Sequence, residues 1–281
     1  MNGPREFLTV NLHLTQACNM DCVFCFAKYS ERMGLDEREW QRCIEAIDRE
    51  TSAFPKRKIN FVGGEPTLLP FLSSLIRMAK ELGFNTGLVT NGRLLNDAFL
   101  HQNVGHLDIV GLSIDSINSV TNACLGRSVC GVAWGADEYL RIIKAVRSYG
   151  YYLKINTVVS RPNVDEDLSG FMMVANPDRW KVMQCLIIEG QNDGRADAVA
   201  IDDAHLDRFI ARHSPLACMV VERESQMRGS YVMVDPLGRP YGNALGKVVY
   251  GRPITEVGLL SQLDDLGYSE EKARGRGAIY G

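Results

Sequence analysis

Val10-Asn11-Leu12-His13-Leu14-Thr15-Gln16-Ala17-Cys18-Asn19-Met20-Asp21-Cys22-Val23-Phe24-Cys25 reads as a short strand that runs into a loop carrying three cysteines. The spacing C-x-x-x-C-x-x-C brings Cys18, Cys22 and Cys25 together on that loop. Thiolate sulfur is the usual ligand of an iron–sulfur cluster, and a 4Fe–4S cubane has four irons to ligate. Three thiolates this close can cap one face of a cubane and leave the fourth iron open to something other than protein. Phe24, an aromatic residue, stands just before the last cysteine. An odd number of cysteines with no secretory context argues against a disulfide framework. A structural zinc ion is the competing reading, with His13 as the fourth ligand.

A second motif, Gly63-Gly64-Glu65-Pro66-Thr67, follows the apolar strand Lys58-Ile59-Asn60-Phe61-Val62 about forty residues later. Two glycines let backbone N–H and C=O groups approach a ligand closely. The Glu65 carboxylate then offers an acceptor for an ammonium group. Alone, this is a tight turn; together with the cysteines it resembles the radical S-adenosylmethionine (SAM) superfamily. The resemblance implies that the open iron chelates SAM, that Gly63, Gly64 and Glu65 hold its methionine end, and that Phe24 lies near the adenine. On that reading Gly64→Val is expected to block SAM binding by filling the space of the backbone approach.

The 281 residues suffice for one α/β domain with a sizeable core. Hydrophobic content of 46% and charged content of 23% are ordinary for a globular chain. A net charge of −3 gives no electrostatic case for nucleic acid or an anionic membrane. The N-terminus has no apolar core of signal-peptide length and no stretch approaches a membrane span, so the expectation is cytoplasmic. The remaining cysteines, Cys43, Cys124, Cys130, Cys185 and Cys218, are scattered, as suits a reducing compartment. The glycine-rich tail at 273–277 is expected to be mobile without a ligand.

Strand-like and helix-like runs alternate. Strands are expected at 8–15, 58–62, 86–90, 107–115, 152–159 and 179–188, and helices at 36–51, 72–82, 95–100, 136–148 and 164–174. Regular alternation means a parallel sheet covered by helices. Six such units predict a partial, incompletely closed (β/α)6 TIM-like barrel. Its chemistry would lie at the C-terminal strand ends. One domain is expected, with a core at about 8–190 and a C-terminal extension and lid at about 191–281. Residues two apart in a strand share a face. Asn11 with His13, Lys58 with Asn60, Lys154 with Asn156, and Arg179 with Lys181 therefore form polar faces opposite apolar ones, and these must line the lumen. Three lysines and an arginine there would repel one another unless an anion joined them. A polyphosphate suits such a set, with Arg giving forked contacts and Lys point charges. Removing Lys181 is then expected to leave the ligand-free protein at least as stable.

Further matches make the resemblance narrower. Val10 to Cys25, Lys58-Ile59-Asn60-Phe61, Leu125-Gly126-Arg127, Lys154-Ile155-Asn156, Asn176-Pro177-Asp178-Arg179-Trp180-Lys181-Val182-Met183-Gln184, Glu189-Gly190 and Ser230-Tyr231 resemble the viperin-like enzymes of the superfamily. The likeness runs from about residue 8 to the end. It implies a SAM-dependent nucleotide dehydratase that converts CTP, or UTP or GTP, to the 3′-deoxy-3′,4′-didehydro nucleotide, a terminator of viral RNA chains. Hydrogen would be taken from C4′ by a 5′-deoxyadenosyl radical and the 3′-hydroxyl lost as water. By position, Asn11, Lys58, Arg127, Lys154, Asn156, Arg179, Lys181 and Glu222 are implied nucleotide contacts. Asn91 and Ser113 are implied SAM contacts, and Tyr231 a proton donor. An external electron donor is implied as partner, and the protein is expected to be monomeric. Val62 stands where vertebrate members have Ser, so one polar contact is expected to be lost; the amphipathic anchor helix of those members is not seen, as expected for a soluble microbial enzyme; and the chain stops at Tyr280-Gly281, short of the vertebrate C-terminus, so the product-side lid is expected to be incomplete. Two alternatives stay open: a radical SAM enzyme acting on a peptide or another phosphorylated small molecule, and a non-catalytic iron–sulfur or zinc protein.

Overall fold

The computed structural model describes residues 7–27 and 34–275. The segment before Phe7 and the tail from Arg276 onward lie outside the described residues. Along the chain run β1 (Phe7–His13), α1 (Glu37–Thr51), β2 (Lys56–Val62), α2 (Leu72–Glu81), β3 (Asn85–Thr90), α3 (Asp97–Gln102), β4 (Ile109–Ser113) and α4 (Ser119–Cys124). A small hairpin, β5 (Ser128–Val129) and β6 (Val132–Ala133), precedes α5 (Ala136–Ser148), β7 (Tyr152–Val159), α6 (Ser169–Ala175) and β8 (Arg179–Gln184). The last part holds α7 (Asp203–His213), β9 (Met219–Glu222), α8 (Glu224–Met227), β10 (Val232–Val234), β11 (Pro240–Gly242), β12 (Val249–Tyr250), α9 (Ile254–Val257) and α10 (Glu270–Gly275).

One ten-stranded sheet has the order β12-β11-β10-β1-β2-β3-β4-β7-β8-β9. From β10 to β9 every neighbouring pair is parallel. The six expected strands are its centre. Two more parallel strands, β9 and β10, come from the C-terminal third and flank that centre on opposite sides, so the segment expected as extension and lid also builds sheet. The terminal strands of the sheet are β12 and β9, and the barrel is open between them.

The helices cover the outer face of the strands. Val10, Leu12, Ile59, Phe61, Leu88, Val110, Leu153, Ile155, Trp180 and Val182 are fully buried there. In α1 the stripe Trp40, Cys43, Ile44 and Ile47 is buried against them. A reciprocal cap fixes its start: Asp36 accepts from Glu39 N at 2.8 Å, and the Glu39 carboxylate accepts from Asp36 N at 2.8 Å.

Several boundaries differ from expectation, and the largest differences have local reasons. The helix expected at 164–174 begins only at Ser169, because Asn163 takes the backbone elsewhere. Its side chain accepts from Ser160 N at 2.8 Å and donates to the carbonyls of Asp115 and Val158. The strand expected at 179–188 stops at Gln184. Beyond it Asn192 captures Ile188 N and Leu186 O, each at 2.8 Å. The tail expected to be mobile is helical in α10 as far as Gly275.

Candidate active site

The cysteine loop is held mainly by backbone. Asp21 N donates to Gly126 O at 3.2 Å and Val23 N to Leu125 O at 3.0 Å. Gly126 has φ +75°, and a Cβ there would lie 2.1 Å from Asp21 O, so only glycine fits. Two side chains from the C-terminal part finish the clamp. Asn192 Nδ2 donates to Phe24 O at 2.8 Å, and Arg195 pairs with the Asp21 carboxylate at 2.8 Å. Cys18, Cys22 and Cys25 are not joined in disulfides, and Met20 N donates to Cys18 Sγ at 3.4 Å. Burial pushes the Cys18 thiol up, and the charges of Glu65 and Cys25 add to it. Among the described residues no three His, Cys, Asp or Glu groups converge on a point fit for one metal ion. His13 ends β1, ahead of that loop. Its buried ring packs 5.6 Å from that of Tyr241, and burial pushes its imidazole down to about 3. Three thiols on one fixed loop suit a group that spreads its ligands over several irons.

The glycine-rich turn packs directly on this loop. Gly64 N donates to Thr15 O at 2.6 Å and Glu65 N to Ala17 O at 2.8 Å. A Cβ on Gly64 would lie 2.1 Å from Ala17 O, so the missing side chain makes room for the cysteine loop itself. Glu65 is also engaged within the protein. Its buried carboxylate accepts from Thr67 N at 3.1 Å, Thr67 Oγ1 at 2.5 Å, Thr90 Oγ1 at 2.7 Å and Asn91 N at 2.8 Å. It fastens the turn to the end of β3. Asn91 carries the connection onward, donating to Asn19 Oδ1 at 2.7 Å.

Inside the barrel, strand register collects the polar residues. Asn11 pairs with Asn60 and Asn60 with Gly87; Lys154 pairs with Arg179; Ser113 pairs with Asn156 and Asn156 with Lys181. Lys58, Lys154, Asn156 and Lys181 are 4–8% exposed. Lys58 is pushed down to about 6, chiefly by burial and then by the charges of Lys154, Arg179 and Lys181. Four cationic side chains from three strands therefore act on one space. Asn156 Oδ1 is buried with no hydrogen-bond partner. Asn60 donates to Asn11 Oδ1 at 3.0 Å, and Asn11 donates to Val232 O at 3.1 Å.

Arg127 and Glu222 have partners inside the protein. Arg127 forms a buried pair with Asp115, and its guanidinium lies 5.6 Å from the Phe24 ring centroid, on the cysteine-loop side. Asp115 is anchored by Val158 N at 2.7 Å. Glu222 lies 2.9 Å from Lys181 Nζ and accepts the Tyr231 hydroxyl, and Lys181 donates to the same phenol oxygen. Sequence reasoning missed Asp115, Asn192 and Arg195, which carry no local signal. It could have found Gly87 and Gly111, because an isolated glycine in a strand marks a close approach. A Cβ on Gly87 would lie 2.3 Å from Asn60 Oδ1, and one on Gly111 would lie 3.3 Å from Asn156 Nδ2.

A sequence profile of the Radical SAM superfamily matches residues 12–174. The S-adenosylmethionine-dependent nucleotide dehydratase of Flammeovirga pacifica is 41% identical, over 100% of this chain and 98% of that protein. The S-adenosylmethionine-dependent nucleotide dehydratase RSAD2 of Danio rerio is 33% identical, over 97% of this chain and 77% of that one. The crystal structure of Streptococcus suis SuiB bound to S-adenosylmethionine superposes with a TM-score of 0.67 at 18% identity, covering 96% of this chain and 68% of that one.

Proposed function

This chain belongs to the radical SAM superfamily and, within it, to the SAM-dependent nucleotide dehydratases, and from that premise we infer that it dehydrates a ribonucleoside triphosphate, CTP or else UTP or GTP, to the 3′-deoxy-3′,4′-didehydro nucleotide. The product would serve antiviral defence by terminating viral RNA chains. Cys18, Cys22 and Cys25 would hold the 4Fe–4S cluster, and Gly63, Gly64, Asn91 and Ser113 would border SAM. The cluster and SAM, when bound, supply a radical able to take a hydrogen atom from the ribose. The rest falls to this chain: to bind the nucleotide, aim C4′, exclude water and provide a proton for the departing 3′-hydroxyl.

The observation that carries the nucleotide reading is the gathering of Lys58, Lys154, Arg179 and Lys181 from three parallel strands on one lumen. A triphosphate would have the charge and the reach to engage Lys58, Lys154, Arg179 and Lys181 together. The ribose would then lie toward Asn11 and Asn156, whose buried Oδ1 awaits a donor such as a sugar hydroxyl. Tyr231, whose hydroxyl donates to Glu222 and accepts from Lys181, would supply that proton. The other loop and turn residues act one step removed: Arg127 and Phe24 form a face beside the cluster, and Glu65 sets the turn.

The deciding experiment incubates the reduced, reconstituted enzyme and SAM with each of the four ribonucleoside triphosphates. Formation of 5′-deoxyadenosine together with a didehydro nucleotide from at least one of them is the expected result. SAM cleavage with no consumption of any nucleotide would overturn the reading.

A further inference from the structure

A polar knot closes the barrel where the backbone leaves it open. Glu222 ends β9, the terminal strand of the sheet, while Tyr231 immediately precedes β10 on the far side of β1. The Glu222 side chain is fully buried. One of its oxygens lies 2.9 Å from Lys181 Nζ, and the other accepts the Tyr231 hydroxyl. Lys181 donates to the Tyr231 oxygen and lies 4.8 Å from that ring's centroid. Each of the three residues thus touches both others.

A carboxylate is a poor ligand for a polyanion, because like charges repel at short range. Its burial beside a phosphate site makes sense if its partner is Lys181. We propose that Glu222 is a positioning residue: an internal counter-ion that fixes Lys181 and Tyr231 across the open edge and moderates the anion site without touching the nucleotide. This rests on the reading of the lumen as a phosphate site and adds to it. An incoming phosphate has to share Lys181 with Glu222. Affinity is lower than four cations alone would give. In exchange the lumen keeps its shape before the ligand arrives, and the phenol is already oriented when it does.

Glu222→Gln tests this, since the amide keeps the size and an acceptor for Tyr231 but loses the charge. Inorganic triphosphate, titrated calorimetrically, should bind the variant roughly tenfold more tightly. The ligand-free variant should melt about 5 °C or more below wild type, because Lys181 has lost its counter-ion. Added triphosphate should restore more of that loss in the variant than it adds to wild type. SAM cleaved per nucleotide consumed should rise, as a loosened Lys181 and Tyr231 aim the substrate less well. Equal or weaker triphosphate binding would overturn the proposal. So would a variant that binds inorganic triphosphate like wild type but loses CTP, since that makes Glu222 a nucleotide contact. The double variant Lys181→Met/Glu222→Gln should melt above Glu222→Gln alone; an equally low melt also overturns it. The melts need no nucleotide. If wild type binds none, the dehydratase reading fails while the single and double variants still decide the role of Glu222.

Discussion

Lys58 and Lys181 are buried lysines of one lumen, yet removing them should act in opposite directions on the ligand-free protein. Lys58 is held at about 6 by burial and by its cationic neighbours. Below that pH both folded and unfolded chains carry its proton, and the folded state bears the full cost of the buried charge. Between about 6 and the ordinary lysine value of 10.5 only the unfolded chain binds the proton, so the cost shrinks as pH rises and vanishes above 10.5. Lys58→Met should therefore gain about 1–4 kcal/mol near pH 6 and progressively less toward pH 10, measured by denaturant melts across that range. The same variant should lose the proton uptake that accompanies triphosphate binding above pH 6, seen by calorimetry in buffers of different ionisation enthalpy. Lys181 is different because Glu222 is 2.9 Å away. The sequence suggested that losing one repelling cation would cost nothing. Lys181→Ala instead takes the counter-ion from a fully buried carboxylate and should lose about 3–5 kcal/mol, besides weakening triphosphate binding roughly ten- to a hundred-fold. A ligand-free melt equal to wild type would refute the pairing.

At the scale of elements, the cysteine loop is one layer of a stack. The glycine-rich turn after β2 lies on one side of it and the segment after α4 on the other, each joined by backbone hydrogen bonds. Gly64→Val should therefore displace the cysteine loop, because its side chain collides with Ala17 O and Gln16 O. The expected result is loss of iron after anaerobic reconstitution, together with loss of SAM binding. Full iron content with SAM binding alone abolished would mean that the space at Gly64 belongs to SAM. Asn192→Ala removes the side-chain tie to Phe24 O but leaves the backbone stack. It should retain iron and make the cluster more easily lost on dilution, followed by visible absorbance over time.

For the whole molecule, the C-terminal third decides whether the first strand has a neighbour on its outer side. β10 pairs with β1 through Val10, Asn11 and Leu12, and Asn11 reaches back to Val232 O. Ending the chain after Ser214 would remove β9 to β12 and expose that edge. Such a truncation should be protease-sensitive and fail to hold a cluster; a compact, cluster-binding product would show that 215–281 is dispensable. The sequence alone determined the local and periodic features. The cysteine spacing points to a cluster because three thiolates on one short loop can cap one face of a cubane. Alternation at period two put Lys58, Lys154, Asn156 and Lys181 on lumen faces, and α1 and α5 could be read because their apolar stripes are contiguous in the chain. What only the tertiary structure decided are pairings between residues far apart in sequence: Glu222 with Lys181 and Tyr231, Asp115 with Arg127, Glu65 with Thr90 and Asn91, and β10 beside β1. A strand of three or four residues such as β9 or β10 has too short a pattern to declare itself. A carboxylate that neutralises a lysine forty-one positions earlier leaves no trace in either local sequence, because the strength of an ion pair depends on distance in space and on burial, which folding alone sets.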